Sequence, residues 1–205
     1  MKNNIDQFAS LLFNTKITIS AKQSLLLEDG MNQIVHLLEI GREQNNTVYI
    51  IGNGGSAAIA SHAVTDFSNM ANIKALEMLN TSMITCRSND YGYEYVYQRQ
   101  LHQFVAKQDI LIAISSSGQS KNIINGVDAA RLNGAKIITL SGFNADNPLR
   151  QLGDYNIWLD SKDYGQVEIG HAFVLHQITD CLKNSAYYKT PSAEHQKHLE
   201  NLELA

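Results

Sequence analysis

The sequence predicts an α/β fold built on a parallel β-sheet that is covered by helices on both faces. Continuous apolar runs indicate buried strands at residues 47–51, 109–114, 136–140 and 155–159. A weaker strand is predicted at residues 74–79. Segments with helical periodicity lie between them, at residues 56–70, 93–105, 120–133 and 166–183. Buried strands that alternate with helices are typical of a parallel sheet, because each parallel connection must cross over the sheet.

The N-terminal region, residues 1–46, is predicted to be helical. Apolar side chains between Leu25 and Ile40 recur near helical periodicity, without the alternation of a strand. We expect so apolar a helix to pack across the main domain or against another subunit. The chain therefore divides into an N-terminal helical, oligomerisation region (1–46), a main domain (47–188) and a C-terminal tail (189–205). Within the tail, residues 192–202 are predicted to form a short helix.

Composition narrows the function classes. The chain has 205 residues, of which 44% are hydrophobic and 18% charged, as in a soluble domain with a full core. A net charge of −4 argues against a nucleic-acid surface. No apolar stretch approaches membrane-spanning length, and the first residues lack a signal-peptide pattern. Cys86 and Cys181 form no motif and are predicted to be reduced. We expect a cytoplasmic protein that binds neither nucleic acid nor membrane.

Two loops of small residues are the most informative feature for function. Residues 52–56 (GNGGS) and 115–120 (SSSGQS) each follow a predicted buried strand and each open a predicted helix. Backbone N–H groups at the start of a helix are unpaired and lie at the positive end of its dipole, where they can bind an anion. Neither loop has the spacing of a Walker or dinucleotide motif. The pair predicts a site for a phosphorylated small molecule beyond the carboxyl ends of the strands.

The second loop concentrates hydroxyl groups. Its serines are Ser115, Ser116, Ser117 and Ser120. Helix capping by Ser120 alone is the simpler interpretation, but capping needs only one such oxygen. Three consecutive hydroxyls after a buried strand favour phosphate binding, because each can rotate toward a phosphate oxygen.

Acidic and histidine side chains recur on two predicted helices. His62 and Asp66 are four residues apart on the first, so they share a face. This spacing suits a shared metal ion or a carboxylate that orients an imidazole, and equally a partly buried histidine paired with a surface acid. The last helix carries Glu168, His171, His176 and Asp180. His171 and His176 point in different directions, and spacing does not decide which of them is functional.

Asp90 is predicted to lie in a polar turn before a helix. There it could be an acid at a helix start or a contact to substrate. The spacing leaves both interpretations open.

These segments together carry a resemblance to a known family. They are residues 51–58 leading to His62, residues 88–94, residues 114–120 and the helix with His171 and His176. Over residues 47–182 the chain resembles the sugar isomerase (SIS) domain family, and within it the phosphoheptose isomerases. The resemblance implies a five-stranded parallel sheet in an αβα sandwich and a homotetramer with active sites between subunits.

The resemblance also implies a set of site residues. One zinc ion per subunit would be held by His62, Asp66, Glu168 and His176. Asp66 and His176 would form the acid–base pair. The phosphate loop would consist of Ser115, Ser116, Ser117 and Ser120. Further substrate contacts would come from Asn53, Gly54, Ser56, Asp90 and Glu168.

The activity that the resemblance implies is aldose–ketose isomerisation of sedoheptulose 7-phosphate to D-glycero-D-manno-heptose 7-phosphate, which feeds surface polysaccharide synthesis. Two positions depart from the family, which has glutamate at Asp66 and glutamine at Glu168. Asp66 is shorter by one methylene, while Glu168 adds a negative charge that would strengthen zinc binding and could supply a base. The alternative is a non-catalytic SIS protein, either a sugar-phosphate sensor or a regulator that binds a replication initiator. His62 and His176 argue against it.

Overall fold

Strands and helices alternate along most of the chain. The computed structural model describes residues 1–20 and 23–187. Within them, the helices are α1 (Lys2–Phe13), α2 (Leu27–Glu43), α3 (Gly55–Asn69), α4 (Thr81–Tyr91), α5 (Val96–Phe104), α6 (Lys121–Leu132) and α7 (Tyr164–Tyr187). The strands are β1 (Lys16–Ile19), β2 (Gln23–Leu25), β3 (Val48–Ile51), β4 (Ala75–Glu77), β5 (Ile110–Ser115), β6 (Lys136–Ser141) and β7 (Tyr155–Trp158).

The sheet contains the parallel strands that the sequence predicts. Its order is β2-β1-β7-β6-β5-β3-β4. Strands β4, β3, β5, β6 and β7 run parallel to their neighbours. The α/β class is thus confirmed. The carboxyl ends of β3 and β5 are adjacent, because Ile51 pairs with Ala113. The two loops of small residues therefore start at the same edge of the sheet.

The sheet has seven strands rather than five in the described part of the chain, which corrects the expectation for the N-terminal region. Strands β1 and β2 form an antiparallel hairpin, and β1 pairs antiparallel with β7, with Ile17 opposite Ile157. These strands are only 4 and 3 residues long. Runs this short carry almost no periodicity, and only the tertiary pairing to β7 makes them strands.

The core lies on both faces of the sheet, because successive side chains of a strand point to opposite faces. On one face, Ile50 and Ile112 pack with side chains of α2, α3 and α7, such as Ile34, Phe67 and Ile178. On the other face, a second cluster joins the strands to α5 and α6. None of the helices among the described residues is long and apolar enough to cross a membrane.

Asp90 lies in a helix, not in the predicted turn. Helix α4 begins after Asn80, whose side chain accepts a hydrogen bond from the Met83 N–H, and it ends before Gly92 at φ 96°. The helix predicted at residues 93–105 is divided into a 3-10 turn (Tyr93–Tyr95) and α5. The tail at 189–205, with its predicted helix at 192–202, lies outside the described residues.

Candidate functional site

The two loops of small residues enclose one cleft. Its volume is about 250 Å³. The lining residues are Asn53, Gly54, Gly55, Ser56, Ile114, Ser115, Ser116, Ser117, Ser120, Tyr164 and Glu168. We call it the serine-loop cleft. Helices α3 and α6 both begin at the cleft, so two sets of unpaired backbone N–H groups flank it.

The first loop depends on glycine at two positions. Gly54 is the N-cap of α3 and has φ 53°, a conformation that strongly favours glycine. At Gly52 a Cβ atom would collide with the backbone of Ser56, so this close approach requires glycine, while Gly55 lies directly beneath the carboxylate of Glu168. The small residues therefore let the backbone turn tightly and leave room for the side chain of α7.

The serine hydroxyls are only partly used within the chain. Ser115 Oγ accepts a hydrogen bond from the Gly118 N–H at 3.2 Å and lies 3.3 Å from Ser120 Oγ. Ser120 is the N-cap of α6, yet its side chain makes no capping hydrogen bond. Ser116 Oγ is buried and has no partner among the described residues. Ser117 Oγ accepts a hydrogen bond from the Gln119 N–H, so Ser116 Oγ is the loop hydroxyl that has a buried and unused hydrogen-bonding capacity among the described residues.

The charge of the cleft is unusual for an anion site. Among its described lining residues there is no lysine or arginine, and Glu168 contributes a carboxylate. Attraction for an anion would therefore come from N–H groups, hydroxyls and two helix dipoles. The carboxylate would oppose a phosphate and could instead accept hydrogen bonds from hydroxyl groups.

A second cluster lies between α3 and α7. His62 Nε2 is 3.1 Å from His176 Nε2, and Asp66 Oδ2 lies 3.4 Å from His62 Nε2 and 3.1 Å from His176 Nδ1. One ligand atom from each residue can be chosen so that all three lie within 4.8 Å of one another. We call this set the histidine–aspartate cluster. It borders a second cavity of about 260 Å³. Among the described residues, none lines both this cavity and the serine-loop cleft.

The donor set of the histidine–aspartate cluster fits a divalent metal. The 3.1 Å contacts of His176 involve its two different ring nitrogens, so with one ligand atom per residue the separations reach up to 4.8 Å, against roughly 3.3 Å between the ligands of a tetrahedral zinc ion. Two imidazoles and one carboxylate leave a fourth position open, as in catalytic zinc sites. The side chains of His62 and His176 are 60% and 49% exposed, so the fourth position faces the surface of the chain.

Glu168 and Asp90 lie outside the histidine–aspartate cluster of the described residues, and the four-ligand set with Glu168 stays a prediction. Glu168 precedes His176 by eight residues on α7, a rise of about 12 Å along the helix. Its carboxylate lies over Gly55 in the serine-loop cleft instead. Asp90 lies outside the lining of both cavities, and its carboxylate contacts Asn89 Nδ2 and Cys86 Sγ. Both cysteines are free thiols.

His171 is separated from the histidine–aspartate cluster by the turn of α7. Its side chain is fully buried, and Nε2 donates a hydrogen bond to the Ser141 carbonyl at 3.2 Å. Burial lowers the pKa of His171 to about 4, so the ring is neutral at physiological pH. The opposite directions of His171 and His176 on one helix follow from helical geometry. Which of the two reached the surface was decided by packing.

One buried side chain that braces the serine loop has no signal in the sequence. Asn147 is 1% exposed, and its Nδ2 donates to Ser141 Oγ and to the Gly142 carbonyl. The Gly142 N–H in turn donates to the Ser116 carbonyl. Asn147 thus ties the loop after β6 to the serine loop. An asparagine before Pro148 predicts only a turn, so sequence reasoning missed it.

Comparison with known proteins places this architecture in a family. The SIS domain family model matches residues 14–142. A phosphoheptose isomerase of Helicobacter pylori is 32% identical over 169 residues, which are 80% of this chain and 88% of that protein. A phosphoheptose isomerase of Neisseria gonorrhoeae superposes with a TM-score of 0.72 at 25% identity, covering 89% of this chain and 98% of the other. One from Francisella tularensis has a TM-score of 0.77 at 22% identity, with 89% and 96% covered. The chain belongs to the SIS domain family, and within it to the phosphoheptose isomerase-like aldose–ketose isomerases.

Proposed function

We propose that the protein isomerises sedoheptulose 7-phosphate to D-glycero-D-manno-heptose 7-phosphate. The observation that carries the proposal is the serine-loop cleft, with two helix N-termini and the unpartnered buried hydroxyl of Ser116. Such a cleft suits a phosphate group on a small molecule. Family membership supplies the reaction class, because the curated relatives are named phosphoheptose isomerases.

The chemistry requires one proton to move between adjacent carbons. A base removes a proton from C1 of the ketose while the C2 carbonyl oxygen gains one, which gives an enediol. Return of a proton to C2 and loss of the O1 proton then leave the aldose. We assign this proton transfer to Asp66 and His176, whose Oδ2 and Nδ1 atoms lie 3.1 Å apart. The carboxylate can hold the imidazole in the orientation that proton transfer needs.

The metal in this proposal is zinc, one per subunit. His62, Asp66 and His176 would hold it. When bound, zinc would stabilise negative charge on the substrate oxygens. Asp66 would then have two roles, as a metal ligand and as a partner in proton transfer, because its Oδ2 atom lies near both imidazoles.

The separation of the two cavities supports a proposal for the assembly. Within one chain, the histidine–aspartate cluster and the serine-loop cleft have different linings. We propose a homotetramer in which the cluster of one subunit completes the cleft of a neighbour, with the region 1–46 contributing to the interface. An apolar groove between α1, α2 and α7, lined by Leu12, Met31, Val35 and Phe173, supports burial of this side of the molecule.

The decisive experiment is incubation of the purified protein with a panel of sugar phosphates, followed by NMR of the products. We expect the protein to convert sedoheptulose 7-phosphate faster than it converts five- or six-carbon ketose phosphates. Turnover of a different sugar phosphate would change the substrate but keep the reaction. Binding without turnover of any of them would overturn the proposal and favour a sugar-phosphate sensor.

A further inference from the structure

An amide pair joins the two loops of small residues. Asn53 belongs to the first loop, and Asn122 is the second residue of α6, just after the serine loop. Asn53 Nδ2 donates to Asn122 Oδ1 at 2.9 Å, and Asn122 Nδ2 donates to Asn53 Oδ1 at 2.8 Å. Asn122 is only 3% exposed, so this reciprocal pair is shielded from water on the Asn122 side.

The orientation of both amides follows from a third hydrogen bond. A reciprocal pair alone would be satisfied with both side chains turned over, since each amide offers a donor and an acceptor. The Ile123 N–H, however, donates to the same Asn122 oxygen at 3.0 Å. A backbone N–H cannot face an amide NH₂ group. Asn122 is therefore held in one orientation, and Asn53 with it.

Tyr93 provides the second hydrogen bond that the Asn53 side-chain oxygen accepts. Its hydroxyl donates to Asn53 Oδ1 at 3.0 Å from the 3-10 turn that follows α4. An amide oxygen has two lone pairs, and both now have partners. The Asn53 amide retains one free N–H. Because Asn53 lines the serine-loop cleft and its oxygen is fully used, the group that its amide can still offer to a ligand is a hydrogen-bond donor.

We propose that Tyr93 and Asn122 are positioning residues that hold the Asn53 amide as a donor to an oxygen of the bound sugar phosphate. The predicted effect on turnover rests on the proposed function. The fixed orientation of the Asn53 amide does not depend on which reaction the protein catalyses. A locked donor favours ligands that present a carbonyl or hydroxyl oxygen here and disfavours a group that can only donate, such as an ammonium.

The test is a double-mutant cycle between Tyr93→Phe and Asn53→Ala. Tyr93→Phe removes one hydroxyl and keeps the ring. Tyr95→Phe is the matched control, because Tyr95 lies in the same turn, whereas the hydroxyl that donates to Asn53 is that of Tyr93. We expect Tyr93→Phe to lower kcat/KM about fivefold, as for loss of one hydrogen bond, with an unchanged melting temperature. In the Asn53→Ala background the same change should have no further effect.

A second readout does not need turnover. The side-chain amide resonances of Asn53 in the free protein should shift in Tyr93→Phe and stay in place in Tyr95→Phe. The inference is overturned if these resonances do not move, or if Tyr93→Phe is as harmful with Ala at position 53 as with Asn. If the wild-type protein converts no sugar phosphate, the proposed function fails, and the amide spectrum alone then decides whether Asn53 is locked.

Discussion

His62 Nε2 and His176 Nε2 lie 3.1 Å apart, although 114 residues separate them in the chain. The two rings contact each other edge to face, with centroids 4.9 Å apart. Asp66 lies against both rings. Packing of α3 against α7 thus creates the histidine–aspartate cluster, on which the first prediction rests.

His176→Gln should abolish isomerisation and leave the fold intact. The change removes an exposed imidazole that serves as a metal ligand and as a proton carrier in the proposed mechanism. Metal analysis of the dialysed protein should give about one zinc per subunit for the wild type and little for the variant. His102→Gln, which removes another exposed imidazole, is the control. Turnover near that of the wild type in His176→Gln would rule out this assignment.

Ser116→Ala combined with Ser120→Ala should weaken binding of the sugar phosphate. Each hydroxyl that bonds to a charged phosphate contributes roughly 1.5–3 kcal/mol, so the double variant should lose a few kcal/mol at most. Isothermal titration calorimetry measures the loss. Ser82→Ala, at an exposed position of α4, is the control and should bind as the wild type does. Equal affinity in the double variant would contradict a phosphate site at this loop.

Glu168→Gln should increase the affinity for inorganic phosphate several-fold. The substitution keeps the size of the side chain and removes the carboxylate that faces the serine loop, so a repulsive Coulomb interaction is lost. The increase should shrink as salt concentration rises. Glu28→Gln, on α2 and outside this cleft, controls for net charge. A fall in zinc content without tighter phosphate binding would instead support Glu168 as a metal ligand.

His171 should make the protein less stable in mild acid. Its pKa is about 4 in the folded protein, against 6.5 for the ordinary group, because burial opposes the charged ring. Between these values only the unfolded chain takes up the proton, so the free energy of unfolding falls as pH falls from 6.5 toward 4. The full effect is roughly 3 kcal/mol.

The measurement is denaturant unfolding of the wild type and His171→Gln across this pH range. Gln can still donate to the Ser141 carbonyl and does not titrate. The variant should show a shallower loss of stability, whatever its stability at neutral pH. Parallel profiles for the two proteins would show that His171 does not cause the acid sensitivity.

Assembly should depend on the apolar groove between α1, α2 and α7. Phe173 is 43% exposed in the single chain and lines this groove. If the proposed tetramer buries this groove, Phe173→Glu should dissociate it, because a carboxylate would be buried without a partner. Light scattering reports the mass. Leu132→Glu, at an 82% exposed position of α6 outside the groove, should leave the mass unchanged. A wild-type protein that is a stable monomer at micromolar concentration would contradict the proposed assembly.

The sequence by itself determined the parallel sheet and the place where the two loops of small residues meet. Buried parallel strands are continuously apolar, as in residues 110–114 of β5, and loops after neighbouring strands must share an edge. Local patterns of this kind extend over five to fifteen residues and are visible without any tertiary contact.

Only the tertiary structure decided the remaining features. The hairpin of β1 and β2 exists because β1 pairs with β7, a partner more than 130 residues away. The position of the Glu168 carboxylate over Gly55, and the burial of His171, depend on how α7 lies across the sheet. The orientation of Asn53 depends on Asn122 and Tyr93, which lie on two other segments. Contacts between distant segments leave no periodicity in the sequence, and their geometry arises when the helices pack on the sheet.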